Sequence, residues 1–238
     1  MGSAVWGTRV VLAGALLSAC GYNVYSPPAR SVPLESVATL RPGQYAIAAD
    51  FGVAVSVFGP SIVAASLRAR RGTLPDLDTV IETNLLRVVG QPEADTREHR
   101  NAYDLRAGVQ YRLASFVAVS GGLGGGAYAG GGFISPDLGV VVGYENRYLI
   151  PFLSVRGYLS QPLAARRVDL GEDEGTRRFS TPSTTVGVAV SSGLRIPLRH
   201  MLERVNPAFL LGAWGVYMIS REGREFYLSP TASFEWAF

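Results

Sequence analysis

The 238-residue chain has no lysine, a single cysteine and only two histidines. One cysteine excludes an internal disulfide and any cluster of thiolate metal ligands. All 22 basic residues are arginine, the pattern of a GC-rich coding sequence. The net charge is only +3 and no basic run dominates one stretch, so nucleic acid is not an expected partner. Long apolar runs are missing too. Although 47% of residues are hydrophobic, nothing beyond residue 20 approaches eighteen uninterrupted apolar residues, which argues against helical membrane spans. What remains is a β-rich soluble domain or a transmembrane barrel, whose signature is alternation.

The first nineteen residues have the form of an export signal. Arg9 supplies a positive start, and Val10 through Leu17 an apolar stretch too short to span a bilayer stably. It runs into Leu17-Ser18-Ala19-Cys20-Gly21, which resembles the lipobox of bacterial lipoproteins. The resemblance implies cleavage before Cys20 and a lipid on its sulfur and new amino group. Gly21 in place of Asp points outward, since Asp there favours retention in the inner membrane of enteric bacteria. Residues 20–42, with Pro27, Pro28, Pro33 and Pro42 and no sustained period, read as a lipid-anchored extended tether.

From residue 43 the period becomes two. Tyr45, Ile47, Phe51, Val53 and Val55 share one face, and Ala46, Ala48, Asp50, Gly52 and Ala54 the other. The same rule holds near 63–70, 103–112, 184–196 and 226–238. Further strands fit near 116–129, 138–145, 147–159 and 207–219. Residues 78–89 fit either a strand or a helical stripe capped by Asp76; a strand makes ten in total. An even count returns both termini to the same, periplasmic side, as single-chain bacterial barrels require. The expected architecture for 43–238 is therefore all-β: an antiparallel up-and-down transmembrane barrel of about ten strands, with eight as the alternative. Turns near Ala114 and Asn146 are short, and long polar loops at Gln91–Arg100 and Gln161–Ser180 lie at the other end. One connection, Pro197–Asn206, is long on the wrong side and is expected to hold a helical turn. A soluble sandwich would bury its large side chains. Here the bulky apolar residues sit opposite a face of Gly, Ala, Ser and charges, which suits a barrel surrounded by lipid.

The final strand places Phe234, Trp236 and Phe238 at alternate positions and ends on Phe. This resembles the terminal strand by which the barrel-assembly machinery recognises outer-membrane β-barrel proteins, although Pro230 interrupts it. The resemblance covers about residues 43–238 and implies the outer membrane of a Gram-negative cell. Both termini would be periplasmic and the long loops extracellular. Membrane lipid, the assembly machinery and other envelope proteins would be the partners.

Chemistry-bearing patterns are sparse, and no catalytic, cofactor-binding or metal-ligating residue is expected. Gly122-Leu123-Gly124-Gly125-Gly126-Ala127 matches the spacing of a dinucleotide fingerprint but lacks the following helix that would hold a pyrophosphate. Glycines that keep a barrel interior clear are the better account. Asp169, Asp173 and Glu174 crudely resemble a calcium loop, but Gly171 replaces a ligand and four nearby arginines would repel a cation. His99, beside Asp95, Glu98 and Asp104, is the one candidate for a rim enzyme and reads more simply as a loop histidine.

The inward charges are more informative. Period two directs Asp50, Glu82, Asp104, Glu145 and Glu235 into the lumen with Arg68, Arg70, Arg106, Arg112, Arg156 and Arg195. In a narrow interior such groups must pair or be hydrated, and pairing would close the bore. Three functions are compatible. The first is a non-enzymatic structural or interaction component of a cell-envelope assembly; the others are a small passive channel and a membrane-rim enzyme.

Overall fold

The computed structural model describes residues 25–30, 34–56, 61–89, 101–146, 148–173, 176–198, 206–221 and 223–238. The described chain contains twelve strands: β1 (Tyr45–Ser56), β2 (Ser61–Leu74), β3 (Leu77–Val89), β4 (Asn101–Ala114), β5 (Val117–Tyr128), β6 (Gly131–Gly143), β7 (Ile150–Leu163), β8 (Val168–Asp173), β9 (Thr176–Ser180), β10 (Thr185–Pro197), β11 (Asn206–Ile219) and β12 (Arg224–Ala237). Ten of them close into an antiparallel barrel, and β8 and β9 form a separate hairpin within the connection from β7 to β10. Each barrel strand pairs with its neighbours in sequence order, and β1 meets β12 to complete the ring. The seam is tied at its end by two backbone bonds, Tyr45 N to Phe238 O at 2.9 Å and Phe238 N to Tyr45 O at 2.8 Å. Closure leaves no unpaired sheet edge, which a lipid-exposed sheet could not tolerate.

The alternation that sets the strands also sorts their side chains. Along β4, Asp104, Arg106 and Gln110 are buried while Tyr103, Leu105, Val109, Tyr111 and Leu113 are exposed. Arg106 is 1% exposed and Leu105 60%. A water-soluble protein shows the opposite order. Outward apolar side chains continue around the barrel through Phe51, Leu67, Ile81, Leu138, Leu153, Val188, Leu211 and Leu228, a continuous belt of the kind that marks contact with an apolar medium.

One end of the barrel, here the turn end, holds the start of β1, the end of β12 and the two-residue turns Pro75-Asp76 and Ser115-Phe116. Asp76 adopts a positive φ of 64° to make its turn, a conformation that Asp tolerates better than most residues. The opposite, loop end carries the β7–β10 connection with its hairpin. Residues 78–89 are a strand rather than a helix. Strand β6 begins at Gly131, seven residues before the expected start, and β7 runs on to Leu163. The loop expected at Gln161–Ser180 thus contains a strand end and the β8–β9 hairpin. Cys20, His99, His200, the Gln91–Arg100 loop and most of the Pro197–Asn206 connection lie outside the described residues.

Candidate functional site

The distinctive feature of the molecule is what fills the barrel. Residues 25–30 and 34–42, read from the sequence as a free tether, are extended but run through the lumen. Their contacts follow the strands in order. Near the turn end, Leu40 N donates to Asp78 Oδ1 at 3.0 Å, and Arg70 Nη2 donates to Ala38 O at 2.7 Å. Further in, Gln110 Nε2 donates to Ser36 O and Arg68 Nη1 to Leu34 O, both at 2.9 Å. Toward the loop end Asn84 Nδ2 donates to Ala29 O at 2.9 Å, and Ser160 Oγ to Pro27 O at 2.5 Å. Ser26 N then donates to Thr185 Oγ1 at 3.2 Å, and Tyr25 bridges to Ser183, just before β10. Backbone carbonyls of an extended chain have no sheet partner here, and side chains of the wall supply the missing donors.

Apolar contacts secure the same path. Leu34 and Val37 are fully buried in a cluster with Ala118, Val141, Phe152 and Leu210. Full burial of each such side chain contributes roughly 1.5–3 kcal/mol. At the loop end, Tyr25 packs on a second cluster that includes Leu86, Tyr158, Trp214, Met218 and Tyr227. The glycine run on β5 has its explanation here. A Cβ at Gly124 would lie 2.3 Å from the Cβ of Ala29, and one at Gly122 would lie 2.5 Å from the guanidinium of Arg106. Those glycines make room for the threaded segment and for a lumen arginine.

Two charge networks cross the bore. The central one is a closed ring of six alternating charges. Arg30 pairs with Glu35, Glu35 Oε1 with Arg156 Nη2 (2.6 Å), and Arg156 Nη1 with Asp137 Oδ1 (3.1 Å). Arg106 holds Asp137 through two bonds of 2.6 and 2.7 Å and reaches Glu82 at 3.3 Å. Glu82 returns to Arg30 Nη2 at 3.0 Å. Four members come from the wall and two, Arg30 and Glu35, from the threaded segment. All six side chains are nearly inaccessible, so each charge depends on its neighbours for compensation.

The second network lies nearer the turn end, and all of its charges come from the wall. Arg70 meets Asp78 at 2.5 Å and Glu235 at 3.1 Å, and Glu235 meets Arg195 at 2.9 Å. Beside it Arg68 lies 3.9 Å from Asp50, whose other oxygen accepts from Ser66 Oγ at 2.8 Å. Asp104, toward the loop end, accepts from Asn84 Nδ2.

Among the expected lumen charges, Asp50, Arg68, Arg70, Glu82, Asp104, Arg106, Arg156 and Glu235 are buried inside the barrel, with Arg195 at 12% side-chain exposure. Arg112 and Glu145 lie at the mouth, where Arg112 pairs with Asp76 and Glu145 at 30–41% side-chain exposure. Sequence reading missed Asp78 and Asp137, which share the inward parity of their strands, and Arg30 and Glu35, which no periodicity reveals. Phe234 and Trp236 on β12, and Phe238 just beyond it, face outward, with the Phe234 and Trp236 rings 4.2 Å apart and Phe238 stacked on Tyr45 at 6.2 Å.

The threading corrects one expectation. Strand ends do share the turn end, but the described chain starts at Tyr25 on the loop end, opposite Phe238. An even strand count fixes where β1 starts and β12 stops. It does not constrain the chain that precedes β1.

The structure resembles solved outer-membrane barrels. Neisserial surface protein A matches with a TM-score of 0.40 and 15% identity, over 82% of this chain and 94% of that one. Ail, the attachment invasion locus protein of Yersinia pestis, matches at 0.34 and 13%, over 82% and 99%. The β domain of the Bordetella autotransporter BrkA matches at 0.44 and 12%, also over 82% and 99%. No protein-family model matches the chain, and no curated protein matches it in sequence.

Proposed function

We propose that this chain is a non-enzymatic outer-membrane lipoprotein of the Gram-negative envelope, a structural or interaction component whose barrel is closed by its own N-terminal segment. The observation that carries this reading is the six-membered charge ring, which spans the bore and needs Arg30 and Glu35 to close. A conducting pore needs water along its axis, and here the axis is occupied by chain. The outward apolar belt supports lipid as the surrounding medium, and Tyr45, Tyr144, Tyr148, Trp236 and Phe238 at the turn end suit a membrane interface. Short turns then face the periplasm and the long loops the exterior. Phe234, Trp236 and Phe238 serve as the assembly signal, Cys20 as the lipid attachment site, and the loop end as the surface offered to other envelope proteins.

Purified wild-type protein in planar bilayers tests the central claim. It is expected to give no steady current, whereas Arg30→Ala with Glu35→Ala is expected to give measurable openings. Large, stable currents from the wild type would establish a channel instead. Labelled palmitate should enter the wild type and not Cys20→Ala; equal incorporation in both would remove the lipid anchor from the reading.

A further inference from the structure

The direction of threading has a consequence for the two faces of the membrane. The segment enters at the turn end, where Gly43 N donates to Gly72 O at 2.8 Å, and emerges at the loop end beside Ser160, Ser183 and Thr185. We infer that the chain on the N-terminal side of Tyr25 belongs to the loop face, opposite the C-terminus, and that any lipid on Cys20 enters the loop-side leaflet. The second half rests on the proposed lipid anchor; the first rests on the threading and on the membrane reading.

Chain length makes the choice of leaflet sharp. Five Cα-to-Cα steps, with four residues between, separate Tyr25 from Cys20. Fully extended, they reach about 18 Å at most. The apolar band of such barrels is about 25 Å tall. A chain leaving the loop-end mouth can therefore cross the rim to the nearer leaflet, but it cannot return along the outside to the farther one. The path back through the lumen is already filled by Leu34 and Val37 packed against Phe152, Val141 and Leu210. The acyl chains and the long loops would then share one face. Such a protein is pinned to its leaflet at the loop face, and the periplasmic side keeps the turns, the β10–β11 connection and the seam.

The inference predicts that residue 23 tracks the loop end and opposes the turn end. In full-length protein in cells, one cysteine at a time is added to the native Cys20 by Asn23→Cys, Arg221→Cys at the loop end and Asn146→Cys at the turn end, both control positions being exposed, and labelling is scored above that of the parent chain. With an impermeant maleimide on intact cells, the first two are expected to label and the third only after lysis. A probe at 23 that behaves like the one at 146 overturns the inference. Labelling of 146 alone inverts the barrel in the membrane yet upholds the inference, since 23 still follows 221. Identical behaviour of 146 and 221 overturns the membrane reading, and the sidedness with it.

A crosslink tests the threading independently of any membrane. Ser26 Oγ and Ser160 Oγ are 2.8 Å apart. In a Cys20→Ser background, Ser26→Cys with Ser160→Cys should form an internal disulfide on mild oxidation of the purified barrel, while Ser26→Cys with Asn146→Cys should not. Absence of the first crosslink in a folded, heat-modifiable barrel overturns the inference.

Discussion

The two charge networks of the lumen differ in who completes them. Near the turn end, Arg70, Asp78, Glu235 and Arg195 all come from the wall and balance one another before anything is threaded past them. In the centre, Glu82, Arg106, Asp137 and Arg156 form an open chain until Arg30 and Glu35 join its two ends. The wall is already neutral in both places, so the threaded segment is not needed to cancel charge. It contributes one charge of each sign, next to each other, and thereby turns a line of ion pairs into a ring across the bore. The first network stiffens the barrel and the second closes it.

This difference is sharpest when one segment charge is removed without the other. Glu35→Ala leaves Arg30, Arg106 and Arg156 facing only Glu82 and Asp137, an uncompensated positive charge in an enclosed site. Breaking a buried pair in this way costs about 3–5 kcal/mol. Removing Arg30 as well restores neutrality to the wall. Arg30→Ala with Glu35→Ala is therefore expected to be more stable than Glu35→Ala alone, although it deletes more contacts. Urea unfolding in lipid vesicles, followed by tryptophan fluorescence, measures both. Additive losses from the two changes would show that the residues do not act as one unit.

The same contrast explains what could be read from the sequence. Strands β4, β7, β10 and β12 alternate cleanly because each has one face toward the lumen and one toward an apolar exterior. That two-sidedness is what produces period two. Strand β6 was placed late because its first half is glycine-rich and contains Pro136, whose missing N–H argues against a strand interior. Starting it at Gly131 puts Asp137 on the inward parity, together with Phe133 and Ser135, and supplies the missing partner of Arg106. The threaded segment was not legible for a deeper reason. A chain surrounded on every side by a barrel wall has no face, so it cannot show a period. Its prolines, which suggested a linker, also suit the interior. Pro27 and Pro28 present no N–H that would need a partner there, and the carbonyl of Pro27 is met by Ser160. Extended conformation was readable, then, but enclosure was not.

A smaller effect is expected in the network whose charges all come from the wall. Arg195→Ala removes one of the two partners of Glu235 and leaves Arg70 in place at 3.1 Å. The carboxylate keeps a buried ion pair, so the loss should approach that of one charge-assisted hydrogen bond, about 1.5–3 kcal/mol. Because the central ring is untouched, the variant should remain as silent as the wild type in planar bilayers. Current from Arg195→Ala would show that the turn-end network, and not the ring, seals the bore.

The smallest effect belongs to the mouth. Arg112 bonds Asp76 and lies 3.3 Å from Glu145, so on contacts alone it resembles the lumen arginines. Its surroundings differ, since Arg112 and both acids have side chains 30–41% exposed to solvent. Water and salt can solvate the two acids once the guanidinium is gone, and exposed ion pairs of this kind are worth at most about 1 kcal/mol. Arg112→Ala should therefore shift the unfolding midpoint only slightly, and raised salt should reduce even that difference. Arg106, six residues earlier on β4 with the same parity, stands fully enclosed between Glu82 and Asp137. Placing Arg106→Ala beside Arg112→Ala holds strand, face and residue type constant and varies only depth in the barrel. Equal destabilisation of the two would mean that depth does not govern these pairs, and the distinction between sealed lumen and open mouth would fail.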